Sequence, residues 1–209
     1  WEVPDWVIVP GGNLGNSSSF GKAFDELKAC GFIGKLPRLA VIQAEGANPL
    51  SRSFSENDYT LRAVQATTRA TAIKIGNPVS FEKAVYGVRL TDGVVEQVSE
   101  QEIAVAKSRI GADGIGAEPA SATTVAGCRK LVEKGVIAPT DRVVCILTGH
   151  LLKDPDYTVE FHKDELYLDP QRSGGVTGSV KIDTGGFSNK PVRLSADVDT
   201  LLEYVRSHI

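Results

Sequence analysis

Apolar residues in this chain fall into short strand-length runs separated by stretches of helical period. Residues 6–9 (Trp-Val-Ile-Val), 38–44 and 142–147 are such runs. Between the first two, Phe20, Ala23, Phe24 and Leu27 recur at i, i+3, i+4 and i+7, one face of an amphipathic helix. Gly31 is placed to end that helix, and Pro37 follows the turn. Strand–helix–strand at this spacing predicts a βαβ unit, so the fold class is α/β: a mostly parallel sheet with flanking helices on both faces. Residues 51–69 are polar and predict irregular backbone with a helical piece at 59–66. Residues 72–75 lead into a break at Gly76-Asn77-Pro78, after which Ser80 is placed to cap a short helix through Tyr86. Thr91-Asp92-Gly93 reads as a turn before a strand at Val94–Val98. Ser99 with Glu102 forms a capping box for a helix to Ile110, closed by Gly111. Pro119 suits the first turn of a further helix, with Val125, Cys128, Leu131 and Val132 on its apolar face and Gly135 at its end. Residues 169–189, rich in Gly, Ser, Thr and Pro, read as loop or linker. A last helix is expected at 197–207, with Val198, Leu201, Leu202 and Val205 on one side.

Three polar features sit where these elements meet. Gly11, Gly12 and Gly15, with Asn13, Asn16 and Ser17 among them, join the first strand to the first helix. Glycines let backbone N–H groups approach a ligand, and the helix start adds its positive dipole end, so the turn suits a phosphate. It is neither a P-loop, since no Lys follows Gly15 at that spacing, nor Gly-x-Gly-x-x-Gly, and a plain βα turn would look similar. Glu118 precedes Pro119-Ala120-Ser121-Ala122 at a strand-to-helix junction. It reads either as a ligand contact or as a helix-start carboxylate favoured by the dipole. Thr148 ends the third apolar run. In a parallel sheet ligands collect at the carboxyl ends of strands, so all three features are expected on one rim.

Composition narrows the function classes. The 209 residues are 42% hydrophobic and 23% charged with a net charge of -3, ordinary for a soluble globular protein. The absence of a basic run argues against nucleic acid as a partner, and the apolar runs are too short to span a membrane. The chain opens on Trp1 without Met, so its true N-terminus is expected upstream. Cys30, Cys128 and Cys145 are widely spaced and odd in number, which reads as buried free thiols in a reducing, cytoplasmic setting. No metal site is expected.

Four motifs, in order, carry a family resemblance. They are Gly12-Asn13-Leu14-Gly15-Asn16, then residues 72–78, then Glu118 to Ala122, then Leu147-Thr148-Gly149-His150 with Lys153-Asp154. Together they resemble the threonine synthases, across residues 6 to 155 and corresponding to the C-terminal portion of such an enzyme. The resemblance implies a fold-type II, tryptophan synthase β-like enzyme dependent on pyridoxal 5′-phosphate. It would convert O-phosphohomoserine and water to threonine and phosphate. It implies that residues 12–16 (Gly12, Asn13, Leu14, Gly15, Asn16) hold the cofactor phosphate through backbone N–H groups. It also implies that the Thr148 hydroxyl meets the pyridine nitrogen, with Glu118 near the cofactor rim.

The family's Schiff-base lysine lies well upstream of the glycine loop, so it is expected outside this chain, which then reads as a fragment inactive by itself. Lys74 and Lys153 stand outside the Schiff-base context and read as surface charge or substrate steering. Residues 1–155 are expected to be part of the cofactor domain and residues 156–209 a C-terminal extension. The partner implied is a small-molecule substrate; relatives of the fold are often dimers, so a homodimer is implied, though no residue names an interface. The alternatives are another fold-type II enzyme, such as a threonine dehydratase or cysteine synthase, and a non-catalytic module that binds a phosphate ligand. The Leu-Thr-Gly-His run disfavours the former, whose members usually carry Ser or Cys near the pyridine nitrogen.

Overall fold

The computed structural model describes residues 2–168 and 180–208. Four parallel strands form its sheet in the order β3-β2-β1-β4, with β1 at Trp6–Pro10, β2 at Arg38–Ala44, β3 at Val94–Val98 and β4 at Val143–Cys145. Alternation along β1 and β2 sorts the core. Trp6, Ile8, Ala40 and Ile42 face helices α4 (Glu100–Ala112) and α5 (Pro119–Glu133), while Val7, Val9, Leu39 and Val41 face α1 (Gly15–Ala29) and α3 (Phe81–Leu90). Both faces are buried, which is why these strands read as unbroken apolar runs rather than alternating ones. The chain leaves β1 through α1 to β2 on one side, and returns from β3 through α4 and α5 to β4 on the other. Right-handed crossovers in opposite directions place their helices on opposite faces.

The capping box at Ser99 forms as expected: Ser99 Oγ accepts from Glu102 N at 3.2 Å, and Ser99 N donates to Glu102 Oε2 at 2.7 Å. Three boundaries differ from expectation. Helix α3 runs on to Leu90, and Ser80 makes no side-chain cap. Helix α4 continues through Gly111 to Ala112, with the left-handed residue at Gly114 (φ 81°) instead. The strand expected at 142–147 is regular only over Val143–Cys145, with single bonds from Trp6 N to Arg142 O and from Ile146 N to Ile8 O at its ends.

The helical piece expected at 59–66 is absent; helix α2 lies earlier, at Pro49–Ser55. Tertiary bonds decide this. Buried Gln43 accepts from Leu50 N at 2.9 Å and Ser51 N at 3.0 Å through Oε1, so it caps α2 from the neighbouring strand end. Residues 64–67 are held against two glycines: Val64 N donates to Gly76 O at 3.0 Å and Thr67 N to Gly46 O at 2.7 Å. A Cβ at Gly46 would stand 1.8 Å from Thr67 O, so the close approach requires glycine there.

Beyond β4, helix α6 (Pro155–Lys163) and a two-stranded antiparallel pair, β5 (Tyr167–Leu168) with β6 (Val180–Lys181), follow. Tyr157, Phe161, Leu166 and Ile182 join Ala104 of α4 in a separate small core. Of the loop expected at 169–189, residues 169–179 lie outside the described residues, and β6 falls within the remainder. The last helix, α7 (Val198–His208), forms as expected, but Val198, Leu201, Leu202 and Val205 are exposed and none of its described residues is buried. The cysteines correct another expectation: Cys30 is exposed and Cys128 and Cys145 are half-buried, because Cys30 sits at the solvent end of α1. Among the described residues, no helix is long and apolar enough to cross a membrane.

Candidate active site

The order of strands makes the site. β1 and β4 are neighbours, yet the chain continues from β1 to one side and arrives at β4 on the other. Such a reversal leaves a crevice beyond the carboxyl ends of the two strands. Residues 11–16 leave β1 and residues 146–150 leave β4, so both border that crevice.

The first loop is fastened from below. Gly11 N donates to Ile42 O at 2.7 Å, and Gln43 Nε2 donates to Gly11 O at 3.1 Å. A Cβ on Gly12 would meet Ala72 O and Ile73 Cα at 3.0 Å, so that loop packs there without room for a side chain. Leu14 takes a left-handed backbone (φ 65°) with its side chain buried against the core of Val9 and Phe81. As N-cap of α1 it has no polar atom to offer, and the first turn holds no acidic residue. The first intrahelical bond is Ser18 N to Leu14 O at 3.0 Å, which leaves the N–H groups of Gly15, Asn16 and Ser17 without a helical acceptor. Asn13 ties the loop to the start of α3: its Oδ1 accepts from Val79 N at 2.8 Å and its carbonyl from Ser80 N at 3.3 Å.

The second loop carries the side chains. Ser121 Oγ accepts from Thr148 N at 2.9 Å and Gly149 N at 3.0 Å, and lies 3.1 Å from Thr148 Oγ1. Thr148 Oγ1 donates to Glu118 Oε1 at 3.4 Å. Glu118 is 1% exposed and makes no cap bond to its own helix. Its carboxylate lies against the Gly149 backbone, where a Cβ would stand 2.1 Å from Oε1. Lys153 Nζ, on the solvent side, lies 3.4 Å from Glu118 Oε2, which has no hydrogen-bond partner among the described residues. The two loops are joined through Thr71, whose hydroxyl bonds the Asp154 carboxylate at 2.8 and 2.9 Å beside the residues that pack on Gly12.

The sequence that builds these loops matches a known family. Residues 2–149 fit the family described as "Pyridoxal-phosphate dependent enzyme". The chain belongs to that family. The threonine synthase of Methanocaldococcus jannaschii is 42% identical over 171 residues, covering 81% of this chain and 42% of that protein. "Threonine synthase 2, chloroplastic" of Arabidopsis thaliana is 36% identical over 216 residues, covering 100% of this chain and 39% of its own length. The chain thus spans about two-fifths of the length of these curated relatives. The crystal structure of threonine synthase from Escherichia coli superposes with a TM-score of 0.56 at 19% identity, over 99% of this chain and 44% of that one. Threonine deaminase isoform 2 from Solanum lycopersicum gives 0.58 at 18% identity, over 72% and 41%. At such identities these two show a shared fold and nothing finer.

The residues present fit the group that gives the pyridoxal-phosphate dependent family its name. An uncapped helix start with no acid in its first turn accepts a phosphate dianion. A Cβ on Gly15 would meet nothing within 4 Å, so the tip of the loop is open. Across the crevice an exposed hydroxyl, Thr148, is backed by a buried carboxylate.

Of the expected site residues, Glu118 and Thr148 are in contact and the glycine loop borders the same crevice. Lys153 is more than surface charge, since it faces a buried carboxylate. Lys74 is not part of this cluster; its charge acts on Glu100 instead. Two residues escaped the sequence reading. Ser121 reads as one small residue among alanines, and Gln43 as the polar end of an apolar strand; their complete burial, which marks them, appears only in the fold.

Proposed function

We propose that this chain is the part of a threonine synthase that holds the phosphate and pyridine ends of pyridoxal 5′-phosphate. The protein to which it belongs would convert O-phosphohomoserine and water to threonine and phosphate. The observation that carries the reading is the pairing of an uncapped α1 start with the Ser121–Thr148–Glu118 cluster at the point where strand order reverses. It is supported by relatives named threonine synthase at 36% and 42% identity. The N–H groups of residues 12–16 would bind the phosphate, and Leu14 would keep them in place by burying its side chain. Thr148 would orient the ring. When bound, the cofactor supplies an electron sink for the substrate's carbon chemistry. Residues 1–155 would form the cofactor half and residues 156–209 an extension, of which Tyr157, Phe161, Leu166 and Ile182 pack with Ala104 of α4. The reading carries with it a small-molecule substrate, a homodimer and a cytoplasmic setting.

Titration of this chain with pyridoxal 5′-phosphate is expected to saturate at one equivalent, followed by quenching of protein fluorescence. Gly15→Asp, which places an acid at the α1 start where no neighbour is crowded, is expected to abolish saturation while leaving the far-ultraviolet circular dichroism unchanged. The longer protein carrying this sequence should act on O-phosphohomoserine in preference to L-threonine or O-acetylserine. Preference for either of the latter would replace this reading with a dehydratase or a cysteine synthase.

A further inference from the structure

Helices α4 and α6 and the chain after β6 enclose a cavity of about 350 Å³. None of residues 11–16, Glu118, Ser121 or Thr148 lines it, so it is separate from the crevice. Small-molecule sites run from roughly 300 to 1,000 Å³ and combine apolar walls with a few placed polar groups. Ile115, Leu151, Phe161 and Phe187 supply such walls here. The charge of the lining is one-sided: no Asp or Glu contributes to it, whereas Lys107 of α4 and His162 of α6 both do. Lys107 Nζ has no hydrogen bond or ion pair among the described residues. Asp154, whose charge reaches Lys107, is itself bonded by the Thr71 hydroxyl. The Lys107 ammonium therefore keeps its donors for whatever enters. The fold also orients His162: its Nδ1 accepts from Asn189 N at 3.0 Å, which leaves Nε2 to carry the hydrogen of the neutral ring. Burial, and then the nearby Lys107 charge, hold His162 below its ordinary value of 6.5, so the neutral ring prevails at neutral pH. Thr158, also in the lining, has a buried hydroxyl with no partner among the described residues. At the mouth, the Arg109 guanidinium lies 5.3 Å from the centre of the Phe187 ring and adds a further cation.

We propose that this cavity binds a small organic carboxylate with an apolar body and no amine. The carboxylate takes the Lys107 ammonium and the Nε2 hydrogen of His162, and the apolar body fills the space between Phe161, Phe187, Ile115 and Leu151. An amine is excluded because no acidic side chain lines the cavity to receive it. A dianion such as inorganic phosphate is disfavoured as well. Gly111 and Ala112 end α4, and His162 and Lys163 end α6, so two negative helix-dipole ends stand at the cavity. A single negative charge is what one ammonium balances there. The inference does not depend on the cofactor reading, since it uses none of the residues assigned to the cofactor.

The test titrates this chain, labelled with ¹⁵N, with 3-phenylpropionate at neutral pH and follows the backbone amide shifts. The expected result is saturable movement of the amides of Gly111, Ile115, Leu151 and Asn189. 3-Phenylpropylamine, the same body with the opposite charge, should leave these amides in place, and excess inorganic phosphate should not displace the carboxylate. Lys107→Met keeps the length of the side chain and removes its charge. It is expected to weaken binding by about tenfold or more, the worth of a charge-assisted hydrogen bond. Lys107→Arg should retain binding. Should Lys107→Met not fold, the amine control on the unaltered chain still decides whether charge selects the ligand. Absence of saturable shifts at these four amides would overturn the proposal. So would equal binding of the amine, displacement by phosphate, or affinity unchanged in a folded Lys107→Met chain. Shifts confined to Gly12, Asn13 and Gly15 would place the carboxylate at the start of α1 and overturn it too, while leaving the cofactor reading standing.

Discussion

At the scale of single residues, the crevice is set by polar atoms whose partners lie on other elements. Cys128 of α5 and Cys145 of β4 illustrate how local such effects are. The two thiols interact, Cys128 following Ser121 along α5 and Cys145 preceding Thr148 at the end of β4. Interaction with Cys145 lowers Cys128 to about 7, and the same interaction, with burial, holds Cys145 above the ordinary thiol range although its Sγ donates to Thr124 O at 3.7 Å. Since the thiolate is the reactive form, Cys128 should be alkylated readily near neutral pH. Cys145→Ala removes this neighbour, and the pH midpoint for alkylation of Cys128 by iodoacetamide, followed by peptide mass spectrometry, is expected to rise. An unchanged midpoint would mean that the contact does not tune Cys128. Glu118 belongs at this scale as well. Sequence placed it at a helix start, where the dipole alone would explain a carboxylate; only the tertiary structure sets its carboxylate against Thr148 and Gly149 with no cap bond to the helix.

At the scale of elements, periodicity marked the helices and strands, and non-local bonds chose among the ambiguous segments. Helix α2 exists where it does because Gln43 supplies the cap that its own N-terminus lacks. Gln43→Ala leaves Leu50 N, Ser51 N and Gly11 O without this partner in a buried setting. Each unsatisfied buried group costs about 1–3 kcal/mol, so a drop in stability of at least ~2 kcal/mol is expected in urea unfolding. An unchanged midpoint would show that solvent replaces the side chain without cost. Residues 59–66 carry enough helix-forming residues to suggest a turn or two of helix. They stay non-helical because Gly76 O takes the N–H of Val64 and Gly46 O that of the adjoining Thr67, an arrangement no local pattern announces. By contrast the capping box at Ser99 is local in both partners, and sequence located it to the residue.

At the scale of the whole molecule, Glu100 gives the clearest link between packing and solution behaviour. It lies beneath the 68–74 segment, receiving hydrogen bonds from Thr68 Oγ1 and Arg69 N. Burial pushes its carboxyl above its ordinary value of 4.5, against the opposing pull of those bonds and of the Arg69 and Lys74 charges. The folded state then holds its proton more tightly than the unfolded one. Stability is therefore lost as pH rises from 4.5 through the raised folded value, and the deficit persists at neutral pH. Glu100→Gln keeps an acceptor for Thr68 and Arg69 N while removing the charge. Its thermal midpoint is expected to vary less than that of the parent over this pH window. A parallel pH profile for the two proteins would refute this account of Glu100.

Across these scales, sequence by itself determined whatever depends on neighbours along the chain. The apolar runs of β1 and β2, the period of α1, the capping box of α4 and the glycine turn after β1 are all local, and the four ordered motifs placed the chain in its family. Tertiary structure decided what depends on partners far apart. It put β4 beside β1 and so made the crevice, joined Ser121, Thr148 and Glu118 across some thirty positions of chain, and aimed Lys153 at a buried oxygen. The reason is physical. Backbone dihedrals and burial period act over a few residues and leave a signature in composition. A hydrogen bond between groups on different elements depends only on where the fold brings them, and a serine that anchors such a contact looks in sequence like any other small residue.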